Sequence, residues 1–306
     1  MTLNQEGSLL TALDAKNNGK KLWQLEEKKE GGVYSMVVVN GILYMRVGNT
    51  DVLALEAKSG QQLWSYSSKE YALDMNMRVT KNAFYVTQQK LKGDTRLSLV
   101  KALRLSDGKE MWSTSFTSHN ISLYLPMTAT DKTVYVVLPN DGNASKSGQL
   151  IALHASDGKQ LWSVGNIAYA VPIVFDDVVY LWAYKHLSAL TASNGKQLWS
   201  RASNFSMTYV LPGHGIYGLG LGKESFCSIN PQSGKNKWCS SRMVLGLILR
   251  TNITMNPNII YVIALNRAFQ PDGIYALDQT TGNELHQYNI GNEDGKILPQ
   301  GIAVGV

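Results

Sequence analysis

Short apolar runs alternate with polar turn clusters along the whole chain. Residues 35–39 (SMVVV) and 42–46 (ILYMR) are separated by Asn40-Gly41. Residues 173–175 and 178–182 are separated by Asp176-Asp177, and residues 253–255 and 259–265 by Asn256-Pro257-Asn258. Each run is rich in Val, Ile, Tyr and Thr and is bounded by turn formers, which predicts paired antiparallel strands. Almost no helix is predicted.

One pattern recurs seven times. It reads ALDAKNNGKKLW at 12–23, ALEAKSGQQLW at 54–64, ALRLSDGKEMW at 102–112 and ALHASDGKQLW at 152–162. It continues as ALTASNGKQLW at 189–199, SINPQSGKNKW at 228–238 and ALDQTTGNELH at 276–286. The shared glycines are Gly19, Gly60, Gly108, Gly158, Gly195, Gly234 and Gly282, spaced by 41, 48, 50, 37, 39 and 48 residues. An apolar strand, a polar residue with glycine, and a second strand carrying Leu and Trp make a β-hairpin. Asn-Gly and Asp-Gly suit it because they adopt the positive φ of a tight turn. With two more strands upstream, each repeat supplies four antiparallel strands in about 44 residues, the content of one propeller blade.

The 24 residues after Gly282 and the 19 that end at Gly19 together make one repeat length. The expected fold is therefore all-β: a single domain over residues 1–306, a seven-bladed β-propeller with four antiparallel strands per blade. It is closed by a blade shared between the N- and C-termini, residues 302–306 giving the first strand and 2–4 the second. Such closure removes the exposed sheet edges that an open array leaves. A start in mid-blade leads to the expectation of a longer protein with a signal, anchor or further domain upstream.

These repeats resemble the PQQ-like repeats of quinoprotein dehydrogenases and of the non-enzymatic, BamB-type propellers related to them, over essentially the whole chain. The resemblance implies that the repeated Trp docks between neighbouring blades. Carried over, these are Trp23, Trp64, Trp112, Trp162, Trp199 and Trp238. His286 replaces the seventh, so that interface is expected to be less well filled. The enzymes of the family carry eight blades, a quinone above a calcium ion in the central funnel, and adjacent cysteines. Here seven blades are counted, the two cysteines stand twelve residues apart, and no compact Glu, Asn and Asp set for calcium is assignable. The expectation is no enzyme activity and no PQQ, calcium or other cofactor. The first reading is a protein-binding, scaffold or sensor module, extracytoplasmic and bacterial. The alternative is a quinoprotein-type oxidoreductase that binds PQQ or another cofactor at the channel mouth.

Other chemistry finds little footing. His119, His154, His186, His214 and His286 are scattered, and no Cys-x-x-Cys pair occurs. Net charge is +6, but the 29 Lys and Arg residues are dispersed, whereas nucleic-acid binding calls for a clustered basic patch. No apolar run approaches the roughly 18 residues that a membrane span needs. Cys227 and Cys239 flank the sixth hairpin symmetrically and are expected opposite one another, with Cβ atoms about 4.5–5.5 Å apart. A cross-strand disulfide and two buried thiols both remain open, and a disulfide argues for an oxidising compartment. Sequons occur at Asn120, Asn143, Asn204 and Asn252.

A protein partner is expected on a loop face or at the channel mouth. Long loops are expected at 88–97, 138–149 and 265–273, with strand connections at 66–73 and 240–247 on the same face. First strands line a propeller channel, which makes Asn76, Arg78 and Arg250 the candidate ligand contacts. Trp182, outside the repeat, is expected to pack on an adjacent sheet.

Overall fold

A computed structural model of the chain describes residues 8–14, 17–27, 32–68, 72–92, 95–118, 125–138, 148–167, 171–183, 186–202, 205–211, 215–220, 226–240, 254–256, 258–265 and 271–288. No helix occurs among them, hence none that is long and apolar enough to cross a membrane. The chain divides into two compact units, Met1–Pro172 and Ile173–Val306.

The first unit begins with a two-stranded sheet, β1 (Ser8–Asp14) and β2 (Lys20–Glu27). A four-stranded sheet follows: β3 (Val33–Val39), β4 (Ile42–Val47), β5 (Asp51–Glu56) and β6 (Gln62–Ser67). The next holds β7 (Ala72–Val79), β8 (Phe84–Lys92), β9 (Thr95–Leu103) and β10 (Glu110–Ser118). The last of this unit holds β11 (Met127–Ala129), β12 (Thr133–Leu138), β13 (Gly148–His154) and β14 (Gln160–Ile167).

The second unit has three four-stranded sheets. They are β15 (Pro172–Phe175), β16 (Val178–Ala183), β17 (His186–Thr191) and β18 (Gln197–Ala202); then β19 (Phe205–Leu211), β20 (Gly215–Gly220), β21 (Phe226–Ile229) and β22 (Asn236–Cys239). The third is β23 (Thr254–Asn256), β24 (Ile259–Leu265), β25 (Pro271–Asp278) and β26 (Glu284–Tyr288). Every sheet is an antiparallel meander in chain order. Seven such sheets are the blades of a seven-bladed β-propeller. Segments 2–4 and 302–306, expected to complete the first blade, lie outside the described residues. So do Arg250, His119, His214, residues 139–147, 241–247 and 266–270, and all four sequons.

The upstream turns follow the sequence. Asn40-Gly41 (φ 50° and 76°) and Asp176-Asp177 (51° and 55°) both place two residues in the left-handed region, as two-residue hairpins require. The repeat hairpins differ from expectation. Only the first, Asn18-Gly19 (φ 49° and 71°), has two left-handed residues. In the other six the glycine alone has positive φ, and its N–H closes a wider turn, for example from Gly108 to the Arg104 carbonyl at 2.9 Å. The residue before glycine serves through its side chain instead. Oδ1 of Asp107, Asp157 and Asn194 accepts from the N–H of Lys109, Lys159 and Lys196 at 3.1, 3.1 and 2.9 Å. Short polar side chains that bond to nearby backbone are what such turns select.

All seven hairpins also carry a β-bulge immediately before the Trp position. Ala54 pairs with Trp64 while Leu55 pairs with Gln62, so Leu63 is the extra residue. Leu22, Met111, Leu161, Leu198, Lys237 and Leu285 occupy the same place. A bulge bends its strand and re-aims the next side chain. Here it turns the leucine to solvent, half exposed at Leu63 and Leu198, and directs the tryptophan at the following sheet.

Five tryptophans meet that sheet in the same way. Nε1 of Trp23, Trp64, Trp112, Trp199 and Trp238 donates to the carbonyls of Ala57, Leu105, Ala155, Pro231 and Gln279, at 2.7–3.0 Å. The indole face lies over the next hairpin's glycine. A Cβ at Gly60 would stand 2.7 Å from Trp23, and one at Gly108 2.6 Å from Trp64; Gly158, Gly234 and Gly282 are covered likewise by Trp112, Trp199 and Trp238. Gly19 keeps the turn geometry with no described neighbour within 4 Å of its Cβ position.

Behind Trp64, Trp112, Trp162, Trp199 and Trp238 runs a row of three residues across the sheet. Tyr44 pairs with Ala54 and Ala54 with Trp64. The same register joins Tyr85–Ala102–Trp112, Tyr135–Ala152–Trp162 and Tyr180–Ala189–Trp199, and then Tyr217–Ser228–Trp238. The small central residue lets the two rings close over it. Their centroids are 5.8–6.1 Å apart with planes inclined by 46–52° in all five rows, a tilted geometry that aromatic quadrupoles favour. Tyr85 and Trp112 both donate to the Ala155 carbonyl, at 3.4 and 2.9 Å.

Two predictions follow from this packing. Gly19→Ala costs about 1–2 kcal/mol for the left-handed backbone alone. Gly108→Ala costs that and a further ~1–3 kcal/mol of overpacking against Trp64, so urea unfolding separates the two variants. Second, burial pushes the hydroxyls of Tyr44, Tyr85 and Tyr217 up, and that of Tyr180, with Asp176 nearby, up to about 12. A raised folded-state pKa gives stability that is complete below pH 10 and lost as pH rises through the folded value. Alkaline unfolding is expected between about pH 10 and 12, with tyrosinate absorbance and loss of β-sheet ellipticity rising together.

Candidate functional site

Several buried and half-buried polar side chains extend the apolar seam between the β3–β6 and β7–β10 sheets. The seam starts apolar: Tyr44, Trp64, Phe84, Val86 and Met77 form one cluster. Strands alternate their side chains between faces, so residues two further along share the same face. Those residues are Arg46 after Tyr44, Tyr66 after Trp64, and Gln88 after Val86. Lys101 joins them as the pairing partner of Val86 on β9.

The geometry there is specific. Gln88 is fully buried and its Nε2 donates to the Tyr66 hydroxyl at 2.7 Å. Lys101 Nζ meets Glu110 Oε2 at 2.7 Å. Burial by itself lowers the Lys101 pKa, but Glu110 and Tyr66 outweigh it and hold the ammonium above its usual range. Arg46, 4% exposed, donates from Nε to the Gly48 carbonyl at 3.1 Å and from Nη2 to Asn49 Oδ1 at 3.3 Å. Asp51, also buried, accepts from the Thr50 hydroxyl at 3.3 Å. A guanidinium, an ammonium, an amide and a phenol make a cationic, hydrogen-bonding end to an apolar seam.

The expected loop at 88–97 is not a loop. Gln88 to Lys92 pair with Leu99 to Thr95 and prolong β8 and β9. The alternation of Lys90, Lys92 and Arg96 with leucines is the two-residue period of a strand, and the charges masked it. This sheet therefore has nine-residue strands where most others have six to eight.

Asn76 and Arg78 lie on β7, an edge strand of that sheet. Asn76 falls in an irregular stretch of the register between Leu73 and Met77. Arg78 pairs with Tyr85 and donates from Nη1 to the Met77 carbonyl at 2.9 Å. Burial lowers its pKa. Their neighbour Met77 belongs to the apolar cluster of the seam. Trp182 packs partly buried with Tyr180, Ile216 and Ile229. Cys227 and Cys239 are direct partners on β21 and β22, with Cα atoms 4.0 Å apart and a sulfur–sulfur bond of 2.04 Å.

A quinone with its calcium ion needs converging oxygen donors. Among the described residues no three His, Cys, Asp or Glu side chains come together, and the cysteines are joined across a hairpin rather than adjacent in sequence.

The family model described as outer membrane protein assembly factor BamB matches residues 5–98 and 96–241, more than half of the chain. The chain belongs to this BamB-type, PQQ-like repeat family. No individually curated protein matches it. Among solved structures, BamB from Moraxella catarrhalis is similar with a TM-score of 0.61 at 14% identity, covering 94% of this chain and 89% of that one. A europium-containing methanol dehydrogenase gives 0.62 at 11% identity, covering 92% of this chain and 75% of that one. Quinohemoprotein alcohol dehydrogenase from Comamonas testosteroni gives 0.56 at 13%, covering 84% and 61%. At such identities the likeness is one of fold, shared by BamB and dehydrogenases alike.

The seam itself is testable. Tyr66→Phe leaves the Gln88 amide buried without its acceptor and is expected to cost about 1–3 kcal/mol. Adding Gln88→Met removes the orphaned donor and recovers part of the loss, which a double-mutant cycle by urea unfolding reads as non-additivity.

Proposed function

We propose that this chain is a non-catalytic propeller, a protein-binding scaffold or sensor module that works outside the cytoplasm of a bacterium. The observation that carries this reading is the match to the BamB-type family model through residues 5–241. The family's description places its namesake in the assembly of outer membrane proteins, and the partner envisaged for this chain is a protein of that setting. The Cys227–Cys239 bridge supports an oxidising compartment, where such bonds persist. Binding falls to a loop face or the channel mouth, because loops held on a rigid scaffold are free to vary in sequence. The described residues supply hydrogen-bonding and cationic groups in the seam, which suit recognition of a polar partner.

Calorimetric titration of the purified protein with PQQ, with and without calcium, tests the absence of catalysis. No heat and no change in melting temperature are expected. Saturable binding at about micromolar concentration or tighter overturns the reading, since that strength means a built cofactor site. Crosslinking in the cell envelope of the native host is expected to give a discrete adduct with an envelope protein, and a chain that stays uncrosslinked there counts against a scaffold.

A further inference from the structure

The sixth hairpin differs from the other six. Among the described residues, β21 and β22 have four residues each and pair at three positions, the fewest of any repeat hairpin. One of those three positions is the disulfide. Cys227 is fully buried and belongs to a core cluster with Tyr180, Leu187, Ile216 and Ile229, while Cys239 on the outer strand is exposed. Asn236 Nδ2 points at both sulfurs, 3.3 Å from Cys239 Sγ and 3.7 Å from Cys227 Sγ. Trp238 stands between Asn236 and Cys239 and docks on the β23–β26 sheet through the Gln279 carbonyl and Gly282. The bridge thus fixes the strand that presents this tryptophan.

We propose that Cys227–Cys239 is a thiol–disulfide exchange site, open to a dithiol reductant in the folded protein, and that its reduction loosens the docking of Trp238 on the β23–β26 sheet. The attack is set by access. A reductant thiolate reaches the exposed Cys239 Sγ, a sulfur–sulfur bond forms there, and the Cys227–Cys239 bond breaks. Its electron pair leaves on Cys227 sulfur. The departing thiolate accepts the Asn236 amide hydrogen bond, which offsets the apolar surroundings, and then takes a proton from water. The second reductant thiolate attacks its own partner in the mixed disulfide, and Cys239 leaves as a thiolate that is protonated in turn. Two electrons and two protons pass to the hairpin, and the dithiol ends as a disulfide.

With the bridge open, β22 is held to β21 without a covalent tie, by the backbone pairs at Cys227–Cys239, Ser228–Trp238 and Ile229–Asn236 and the Ser240 N–H bond to the Phe226 carbonyl. So short a ladder opens more readily than the five- to eight-residue ladders of β5–β6, β9–β10 and β13–β14. The proposal is independent of any partner.

The test uses the folded full-length chain. It is treated with dithiothreitol without denaturant, alkylated, and weighed by mass spectrometry. Both cysteines are expected to be alkylated while β-sheet ellipticity is retained. Reduced glutathione, a monothiol probe, is expected to leave its adduct on Cys239. Asn236→Ala is expected to slow reduction roughly tenfold, the worth of one hydrogen bond to a charged group. Amide exchange at Thr281 and Gly282 is expected to quicken in the reduced protein, with Gly108 in the first unit unchanged. A bridge that resists dithiothreitol until denaturant is added, or an adduct on Cys227, overturns the exchange site. Unchanged exchange at Gly282 overturns the link to docking.

Discussion

The seating of an indole over a glycine holds successive blades together. Each of the five contacts joins two requirements at one point. The hairpin needs a residue with positive φ, and the tryptophan of the preceding sheet needs a place without a Cβ. Glycine alone meets both. The indole N–H is paired with a backbone carbonyl three residues before that glycine, so a large apolar ring is buried with its one polar atom satisfied. The turn of one sheet is thus also the socket for its neighbour, and the blade's local structure and its tertiary contact share one residue.

The bulge makes this possible. A regular two-residue alternation would put Leu63 and Trp64 on opposite faces without aiming either at the next turn. The extra residue before each tryptophan bends the strand and swings the ring across, at the cost of an exposed leucine. The Tyr–Ala–Trp row then supports the ring from within its own sheet. A larger residue at Ala54 or Ala102 would separate the two rings, which explains why alanine recurs at a fully buried site where Val or Leu would fill more volume.

The parts that were legible in the sequence have constant spacing. Glycine and tryptophan are always four residues apart, because both lie within one hairpin of fixed length. That regularity gave the blade count and most strand positions. The tyrosines were not seen, although they are as regular in space. They sit on the second strand, and the connection to the third differs in length from blade to blade. Tyr44 precedes its alanine by ten residues and Tyr85 by seventeen, so no fixed spacing shows. The prolonged β8–β9 ladder was masked for a related reason: lysine and arginine at alternate positions look like loop composition until their period is read. The cationic end of the seam was illegible because Arg46, Tyr66, Gln88 and Lys101 come from four strands and meet only through the register. Of the channel candidates, the sequence could name strand and polarity for Arg78 but not its bond to the Met77 carbonyl.

Departures from a repeat therefore carry more information about function than the repeat does. Positions that every copy shares are occupied by what the ring of blades needs, and they say nothing of partner or chemistry. The sixth copy departs most. Ser228 replaces the alanine of the aromatic row, Pro231 stands in the turn, Lys237 replaces the bulged leucine, and the flanks carry the chain's only two cysteines. Among the described residues its hairpin also has the fewest pairs. A ladder of few pairs is weak by itself, and a covalent bond across it strengthens it. That substitution of one fastening for another changes the character of the joint. Hydrogen-bonded ladders answer to temperature and denaturant, whereas a disulfide answers to the redox poise around it. The docking of Trp238 is then governed by conditions that leave Trp23, Trp64, Trp112 and Trp199 untouched.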